Sequence, residues 1–476
     1  MSAEPGRFQA NSHRSPQRGG TPETAVDLAE VRPCLEGAIP AMMATCAADG
    51  TPNVAYLSQV FYVDERHVAL SFQFFNKTRK NLLAQPRSTV LLLHPLTARF
   101  YRLHLHYLRT EDSGPVFESM KAQLAGIASH SGMAHVFRLL GSDIHEVCEI
   151  ERVPCDPSPT PLPQAPPRCN LLGALRRGSA KLAACATLDA LLDATLQTLE
   201  QDLGIAHAMV LILDPLTERL YTVASRGYAI SGVGSEIALG DGVIGVAARE
   251  RTPVRIMHMT SAYRYSRALR DSLAGEGGAA ISTDIPYPGL PEPHSQLAVP
   301  LLSAGRVLGV LFVESPLDLQ FSYEDEDLLV TLGGQLAAGI DLMQESAEPC
   351  PDAPGTDHPA APTRAPAGPP LQVRHYRSND SVFVNNAYLI KGVAGAILWK
   401  LLQDRQCQGR HEFTNRELRL DRALRLPDVA DNLEARLLLL QRRLAEQCPQ
   451  LRIEKTGRGC FRFDTAGPVN LEDVAA

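Results

Sequence analysis

Apolar and polar positions follow different rhythms in three successive stretches of this chain. Between residues 31 and 153 the period is two, the signature of half-buried strands. Ile39–Cys46, Asn53–Tyr62, Val68–Phe74, Ser88–His94, Arg99–Thr110 and His145–Val153 read as strands, with Asp49-Gly50 and Asp64-Glu65-Arg66 at turns. Two helices interrupt them. One is short, with Asn76 as its cap and Pro86 as its stop, and the other spans Pro115–Ala128. Hairpin-linked strands with so few helices predict a small antiparallel barrel.

From 171 to 346 helical and strand patterns mix. Leu188, Leu191, Leu192, Thr195, Leu199 and Leu203 keep near-helical spacing. AMVLILD and LYTVAS predict paired strands, and LGDGVIGVAARERTPVRI a Gly-rich turn, a short helix and a strand. A hairpin over SQLAVPLLSAGRVLGVLFVES turns at Ala304-Gly305, and a helix apolar at Leu328, Leu329, Leu332, Leu336 and Ile340 follows. The third stretch, 371–466, opens with a short strand at Ser381–Asn385 and an apolar helix over Tyr388–Gln403. Thr414 with Glu417 three residues on is a capping box for a second helix. A third helix is predicted from about Pro427 to Gln447, then a hairpin turning at Thr456-Gly457-Arg458-Gly459.

Proline marks the boundaries. Residues 154–169 hold seven of the 35 prolines and 346–370 hold eight more, and such stretches behave as extended spacers. The expected organisation is therefore a disordered tail over 1–30, domains at 31–153, 171–346 and 371–466, linkers at 154–170 and 347–370, and a tail at 467–476. The formal net charge of −7 is uneven, since residues 371–464 carry 17 Lys+Arg against 11 Asp+Glu. A local positive excess on an acidic chain is the pattern of a nucleic-acid-binding end. No apolar run approaches the ~18–20 residues that span a bilayer, and the N-terminus lacks the apolar core of a secretory signal. Ten cysteines without a CxxC pair argue against zinc ribbons and a disulfide framework, so a cytoplasmic location is expected. No paired acid and base, nucleophile elbow or metal motif supports catalysis.

Candidate chemistry in the first domain sits at Lys77, Thr78, Arg79 and Lys80, three cations and a hydroxyl where a strand passes into a helix. They form either a phosphate site, helped by the helix N-terminus, or a solvated basic turn. The strand pattern over Leu35–Val153, the run Asp49-Gly50-Thr51-Pro52 and the Lys-x-x-x-Asn-Leu helix before Pro86-Arg87 resemble the FMN-binding split barrels of the pyridoxamine 5'-phosphate oxidase family. That resemblance implies FMN as cofactor, with Ala55, Tyr56, Leu57 and Ser58 on the second strand and Lys77, Thr78, Arg79 and Lys80 at the helix start as its binding residues. Basic residues flanking the family's flavin-contacting strand are missing from NVAYLS, and its substrate-binding C-terminal segment is absent. Vitamin B6 oxidation is therefore not expected. His104 and His106, two apart on one strand, face one side and have the spacing of a metal or haem pair, but no carboxylate or cysteine pattern joins them.

The middle domain resembles a GAF domain. The residues that carry this are Gly240-Asp241-Gly242-Val243-Ile244-Gly245, Leu297-Ala298-Val299-Pro300-Leu301, Gly309-Val310-Leu311, and Phe321 with Asp325-Glu326. The resemblance implies a small-molecule ligand and pairing of the terminal helices into a homodimer. Glu314-Ser315-Pro316 stands where cyclic-nucleotide-binding members carry Asn-Lys, which disfavours that ligand. Ser282-Thr283-Asp284-Ile285-Pro286 shares Asp-Ile-Pro with bilin-binding members, but its neighbourhood does not follow their pattern. His258, Tyr263, Arg264, Tyr265 and Arg267 are ordinary loop residues or line a ligand cavity.

The last domain resembles the winged helix-turn-helix of response regulators over about residues 381–464, on the strength of Arg442-Arg443-Leu444 leading into Ile453–Gly459. Its third helix would read a DNA groove and its hairpin would be the wing. Leu433, Leu437, Leu440 and Leu444 form an inward stripe. Asn432, Arg436 and Arg443 form an adjacent stripe suited to DNA, with Lys455 and Arg458 on the wing as further contacts and Arg442 elsewhere on the surface. Leu437–Leu440 pull the other way. Four leucines in a row cannot all face one core, so the alternative to DNA reading is that this helix docks another protein or the GAF domain.

The expected fold class is multi-domain α+β: an antiparallel split β-barrel, a GAF α/β sandwich, and a winged helix-turn-helix. The expected function is a cytoplasmic, ligand- or redox-responsive transcriptional regulator that binds DNA. The alternatives are a flavin-dependent oxidoreductase regulated by its other two domains, and a signalling scaffold with a protein-binding winged helix.

Overall fold

The computed structural model of the 476-residue chain describes residues 26–35, 39–73, 77–95, 97–130, 138–154, 170–257, 285–345, 370–424, 426, 433–457 and 459–474. The expected tails and linkers before 26 and at 155–169 and 346–369, the cap at Asn76, and the loop holding His258–Asp284 lie outside the described residues.

In the first module the period-two pattern becomes β1 (Ala41–Cys46), β2 (Pro52–Leu57), β3 (Val60–Tyr62), β4 (His67–Phe72), β5 (Arg87–Leu93), β6 (Phe100–Glu111) and β7 (Gly141–Arg152). Helix α1 (Lys77–Ala84) follows β4 and α2 (Pro115–His130) follows β6. The strands form one antiparallel sheet in the order β2-β1-β5-β6-β7-β4-β3. The strand expected over Asn53–Tyr62 is thus two, and they lie at opposite edges of the sheet. Only Ser58 and Gln59 join them, a span of roughly 7 Å for two residues, so the sheet must curl until its edges meet. Inside the curl Met43, Val68, Val90, Leu92, Leu103 and Leu105 make a single apolar core.

The second module begins with α3 (Leu171–Ala183) and α4 (Leu188–Gln197). Thr187 caps α4 by accepting from the Ala190 amide at 3.2 Å. Strands β8 (His207–Asp214), β9 (Arg219–Arg226) and β10 (Glu236–Ala238) lead to α5 (Gly242–Glu250). β11 (Val254–Ile256), β12 (Ser295–Ser303), β13 (Arg306–Ser315) and α6 (Tyr323–Glu345) complete the module. The sheet order is β10-β9-β8-β13-β12-β11, antiparallel throughout. Its central strands are near-continuous apolar runs because both faces are buried. Ala208, Val210, Ile212, Leu311 and Val313 face one core, shared with α3, α4 and α6. Met209, Leu211, Val310 and Phe312 face the other, which holds α5 and Ala122 of the first module's α2.

Helix α2 therefore serves two modules. Lys121 Nζ lies 2.9 Å from Glu250, and Gln123 accepts from Gln59 while its own amide donates to the Arg255 carbonyl at 3.4 Å. Arg32 is 3.2 Å from Glu324, and its guanidinium sits 4.0 Å from the ring centroids of both Tyr62 and Tyr323.

The third module comprises β14 (Leu371–Tyr376), β15 (Ser381–Val384), β16 (Ala387–Ile390), α7 (Gly392–Gln408), β17 (Glu412–Thr414), α8 (Asn415–Leu420), α9 (Leu433–Gln447), β18 (Leu451–Gly457), β19 (Cys460–Thr465) and β20 (Val469–Val474). One sheet runs β16-β15-β14-β20 and another β17-β19-β18. Two sequence expectations change. Tyr388–Ile390, read as the start of a helix, is a strand paired with β15, and the helix begins after Lys391. Residues 467–476, read as a tail, contain β20, whose Val469 and Leu471 pack on the core and which pairs in parallel with β14. The capping box forms as expected, Thr414 Oγ1 accepting from the Glu417 amide at 3.2 Å and Glu417 accepting from the Thr414 amide at 3.1 Å.

A methyl group on Gly126 of α2 would stand 2.6 Å from Val254 Cγ1, so the first two modules pack at backbone distance there. Gly126→Val should overfill that contact and cost about 1–3 kcal/mol. Calorimetry should show the first unfolding transition falling; an unchanged transition would place α2 away from the second module.

Candidate functional site

Six of the eight residues expected to hold a cofactor meet around one cleft in the first module. Ala55, Tyr56 and Leu57 of β2, Ser58 just after it, and Thr78 and Arg79 of α1 line it, together with Met43, Phe72 and Asp143. Lys77 and Lys80 do not line it; both are exposed on α1. Thr78 is fixed by Asn53, whose amide donates to its hydroxyl at 2.9 Å. Arg79 is committed inside the barrel. Its Nη1 lies 2.7 and 2.9 Å from the two Asp143 oxygens, Nη2 donates to Thr110 at 3.0 Å, and the guanidinium stacks 3.9 Å over Phe72.

The donor set partly fits a phosphorylated group. A helix start, a hydroxyl and two exposed lysines suit a phosphate, but Arg79 already answers a carboxylate. His145 beside it adds no cation, since burial holds its imidazole below the usual range and Nδ1 bonds the Asp143 carbonyl at 2.8 Å. The enclosed space is about 90 Å³, against roughly 300–1,000 Å³ for a site that encloses a drug-sized ligand. The fit thus extends to the phosphate end and not to an enclosed ring system.

His104 and His106 share one face of β6, as their spacing predicts, and line an open cavity of about 620 Å³ with Cys46, Cys148 and Glu149. His104 Nε2 stands 3.7 Å from Glu151. Among the described residues no group of three or more His, Cys, Asp or Glu is placed to hold a metal ion.

The second candidate surface is α9. Leu433–Leu440 are buried without a break, and this includes all four leucines of the run. One face packs into the third module against α7 and β18, and the other lies on α4 and β9 of the second module. The arginines follow. Arg442 lies 2.5 Å from Asp189 and 2.8 Å from Asp193, and donates to the Val223 carbonyl at 3.2 Å. Arg436, placed by the sequence on a DNA-facing stripe, is only 3% exposed, with Nη2 3.2 Å from Asp214. Arg443 is half-buried; burial lowers its pKa, and its Nε donates to the Leu389 carbonyl at 3.0 Å. Lys455 on the hairpin pairs with Glu434 at 2.6 Å. Asn432 and Arg458 lie outside the described residues. Of the two outcomes the leucine run allows, the arrangement described is docking on the second module.

Sequence reasoning missed the carboxylates that receive these arginines. Asp189 and Asp193 are four apart and so share a face of α4, a legible signal, whereas Asp143 and Asp214 sit at strand ends with no local cue. Removing the Asp143 carboxylate would leave Arg79 largely buried without its main counter-charge. Asp143→Ala should destabilise the first module by about 3 kcal/mol, read as a lower denaturant midpoint; a midpoint within error of the parent would show the pair to be dispensable.

Comparison with known proteins agrees with two of the three modules. Residues 28–147 match the family model described as pyridoxamine 5'-phosphate oxidase, and residues 185–341 match that of the GAF domain. No curated protein matches the chain. Among solved structures, the GAF domain of an Acinetobacter phosphoenolpyruvate-protein phosphotransferase is 22% identical, over 37% of this chain and 94% of that one, with a TM-score of 0.29. The free methionine-R-sulfoxide reductase of Neisseria meningitidis is 20% identical, over 37% and 90%, at 0.29. An FMN-binding protein from Syntrophomonas wolfei subsp. wolfei is 15% identical, over 27% and 87%, at 0.24. The chain thus joins a pyridoxamine 5'-phosphate oxidase-like domain to a GAF domain and continues into a third module that neither family model spans.

Proposed function

We propose that this protein is a ligand- or redox-responsive transcriptional regulator whose DNA-reading helix is withheld in the arrangement described above. The oxidase-like domain would take FMN or a related phosphorylated cofactor through Thr78, Lys77 and Lys80. The GAF domain relays occupancy, and the third module is a winged helix with α9 as its reader and the β18–β19 hairpin as its wing. The observation that carries this reading is the burial of α9 on both sides. A helix that presents arginines but buries them against another domain has the form of a masked nucleic-acid surface.

The mechanism is a two-state exchange. Docked, Arg442 answers Asp189 and Asp193, and Arg436 faces Asp214. Released, the same cations are available to phosphates and base edges. A signal needs only to bind one state better than the other to shift the balance.

Asp189→Ala with Asp193→Ala removes the two carboxylates that hold Arg442 and leaves every cation of the third module in place. Fluorescence-anisotropy titrations of the full chain against a pool of DNA duplexes should show the variant binding about tenfold tighter than the parent. Affinity should fall steeply with added salt, as phosphate contacts demand. If neither protein retains any duplex, the DNA-binding reading fails and the third module is a protein-docking module.

A further inference from the structure

His375 of β14 is buried, and both of its ring nitrogens face carboxylates. Nδ1 lies 3.1 Å from Asp473 Oδ1 on β20, and Nε2 lies 3.1 Å from Asp380 Oδ1 in the turn after β14. The ring stacks on Trp399 of α7, with centroids 4.7 Å apart and planes 14° apart. Trp399 is the single tryptophan of the chain. A neutral imidazole has one N–H donor and one bare lone pair, so it can answer one carboxylate and turns the lone pair on the other. Only the imidazolium donates to both.

The surroundings fit that charged form. Arg377 donates from Nε to Asp473 Oδ2 at 2.8 Å and holds its carboxyl below the usual range, so Asp473 stays ionised in weak acid. From β15 the cross-strand neighbour is Val382, and from α7 the stacking neighbour is Trp399; neither carries a charge. Arg374 and Glu472 alternate to the opposite face of the sheet and pair with each other at 2.7 Å. The bridge joins two separate pieces of the module. One is β20, which pairs with β14 in parallel, and the other is the 377–380 turn. Asp380 holds a left-handed φ of 55°, and a methyl group on Gly395 of α7 would overlap its carbonyl, so the turn lies on the helix at backbone distance. The Asn379 carbonyl accepts from the Gly392 amide at 2.9 Å, and Lys391 beside it stands 3.4 Å from Glu236 of the second module.

We propose that His375 is a proton-operated clip: its imidazolium fastens β20 and the 377–380 turn to one ring, and loss of a proton as pH rises releases Asp380. Asp473 keeps Arg377 when the proton leaves, whereas Asp380, with its side chain 41% exposed, has water within reach. Because the closed clip holds the proton, the stability it adds is present on the acid side and is lost as pH rises. Imidazole changes charge between about pH 5 and 8. The turn borders the contact of Lys391 with Glu236, so the clip ties proton concentration to the edge on which the third module meets the second. It needs neither DNA nor cofactor, and it stands or falls apart from the regulator reading.

The test uses the full chain and the fluorescence of Trp399, because a charged imidazole stacked on an indole quenches it. Emission should rise along a one-proton curve between about pH 5 and about pH 9. His375→Gln keeps the bulk of the side chain but cannot take the charge, and its emission should not change with pH. Its urea midpoint should lie below that of the parent at the acid end, with the gap narrowing at the alkaline end. Asp380→Asn changes a partly exposed residue and removes one of the two carboxylates that favour the proton. It should move the emission curve about one pH unit to the acid side. A parent emission independent of pH, the same rise in His375→Gln, or an unmoved curve in Asp380→Asn would overturn the proposal.

Discussion

Everything distinctive about this molecule depends on α9 being buried from two sides. A helix of a small domain normally commits one stripe to its own core and leaves the rest to water. Here Leu433–Leu440 are buried in succession, which requires a second apolar surface, and the second module supplies it through α4 and β9. Each Leu so covered contributes roughly 1.5–3 kcal/mol relative to exposure. The apolar contact therefore outweighs the partly exposed ion pairs around it, which are worth ~1 kcal/mol or less apiece. Across the contact Arg442 meets Asp189 and Asp193, and Arg436 meets Asp214.

The second module is the hub of the arrangement because the central strands of its sheet are buried on both faces. Helix α2 of the first module completes one face beside α5, and α9 extends the other beside α4. Both outer modules therefore pack on the same six-stranded sheet.

Much of this was legible in the chain and some was not, for identifiable reasons. The alternating strands of the barrel were readable because each buries one face, and the continuous runs AMVLILD and LGVLFVES because each buries two. The capping box at Thr414 and Glu417 is a local device and read correctly. β20 was passed over because its short alternation, Val469-Asn470-Leu471, runs into Glu472-Asp473 and its partner strand lies about 100 positions away. Tyr388–Ile390 has helical propensity on paper, yet pairing with β15 claims it. At the cleft, residue identities on β2 and α1 were readable, whereas the Arg79–Asp143 pair joins positions 64 apart and shows only in three dimensions. The four leucines of α9 announced a second partner surface without naming it.

The most direct test of the account is amide hydrogen exchange on the second module with and without the third. Mass spectrometry of the full chain and of a chain ending at residue 370 should be compared over α4, β9 and the 214–219 turn. If α9 covers that surface, truncation should speed exchange there and leave β11 and β12, at the far edge of the sheet, unchanged. Identical exchange over α4 and β9 in the two proteins would mean that the third module does not rest on the second, and the masked-helix account would fall with it.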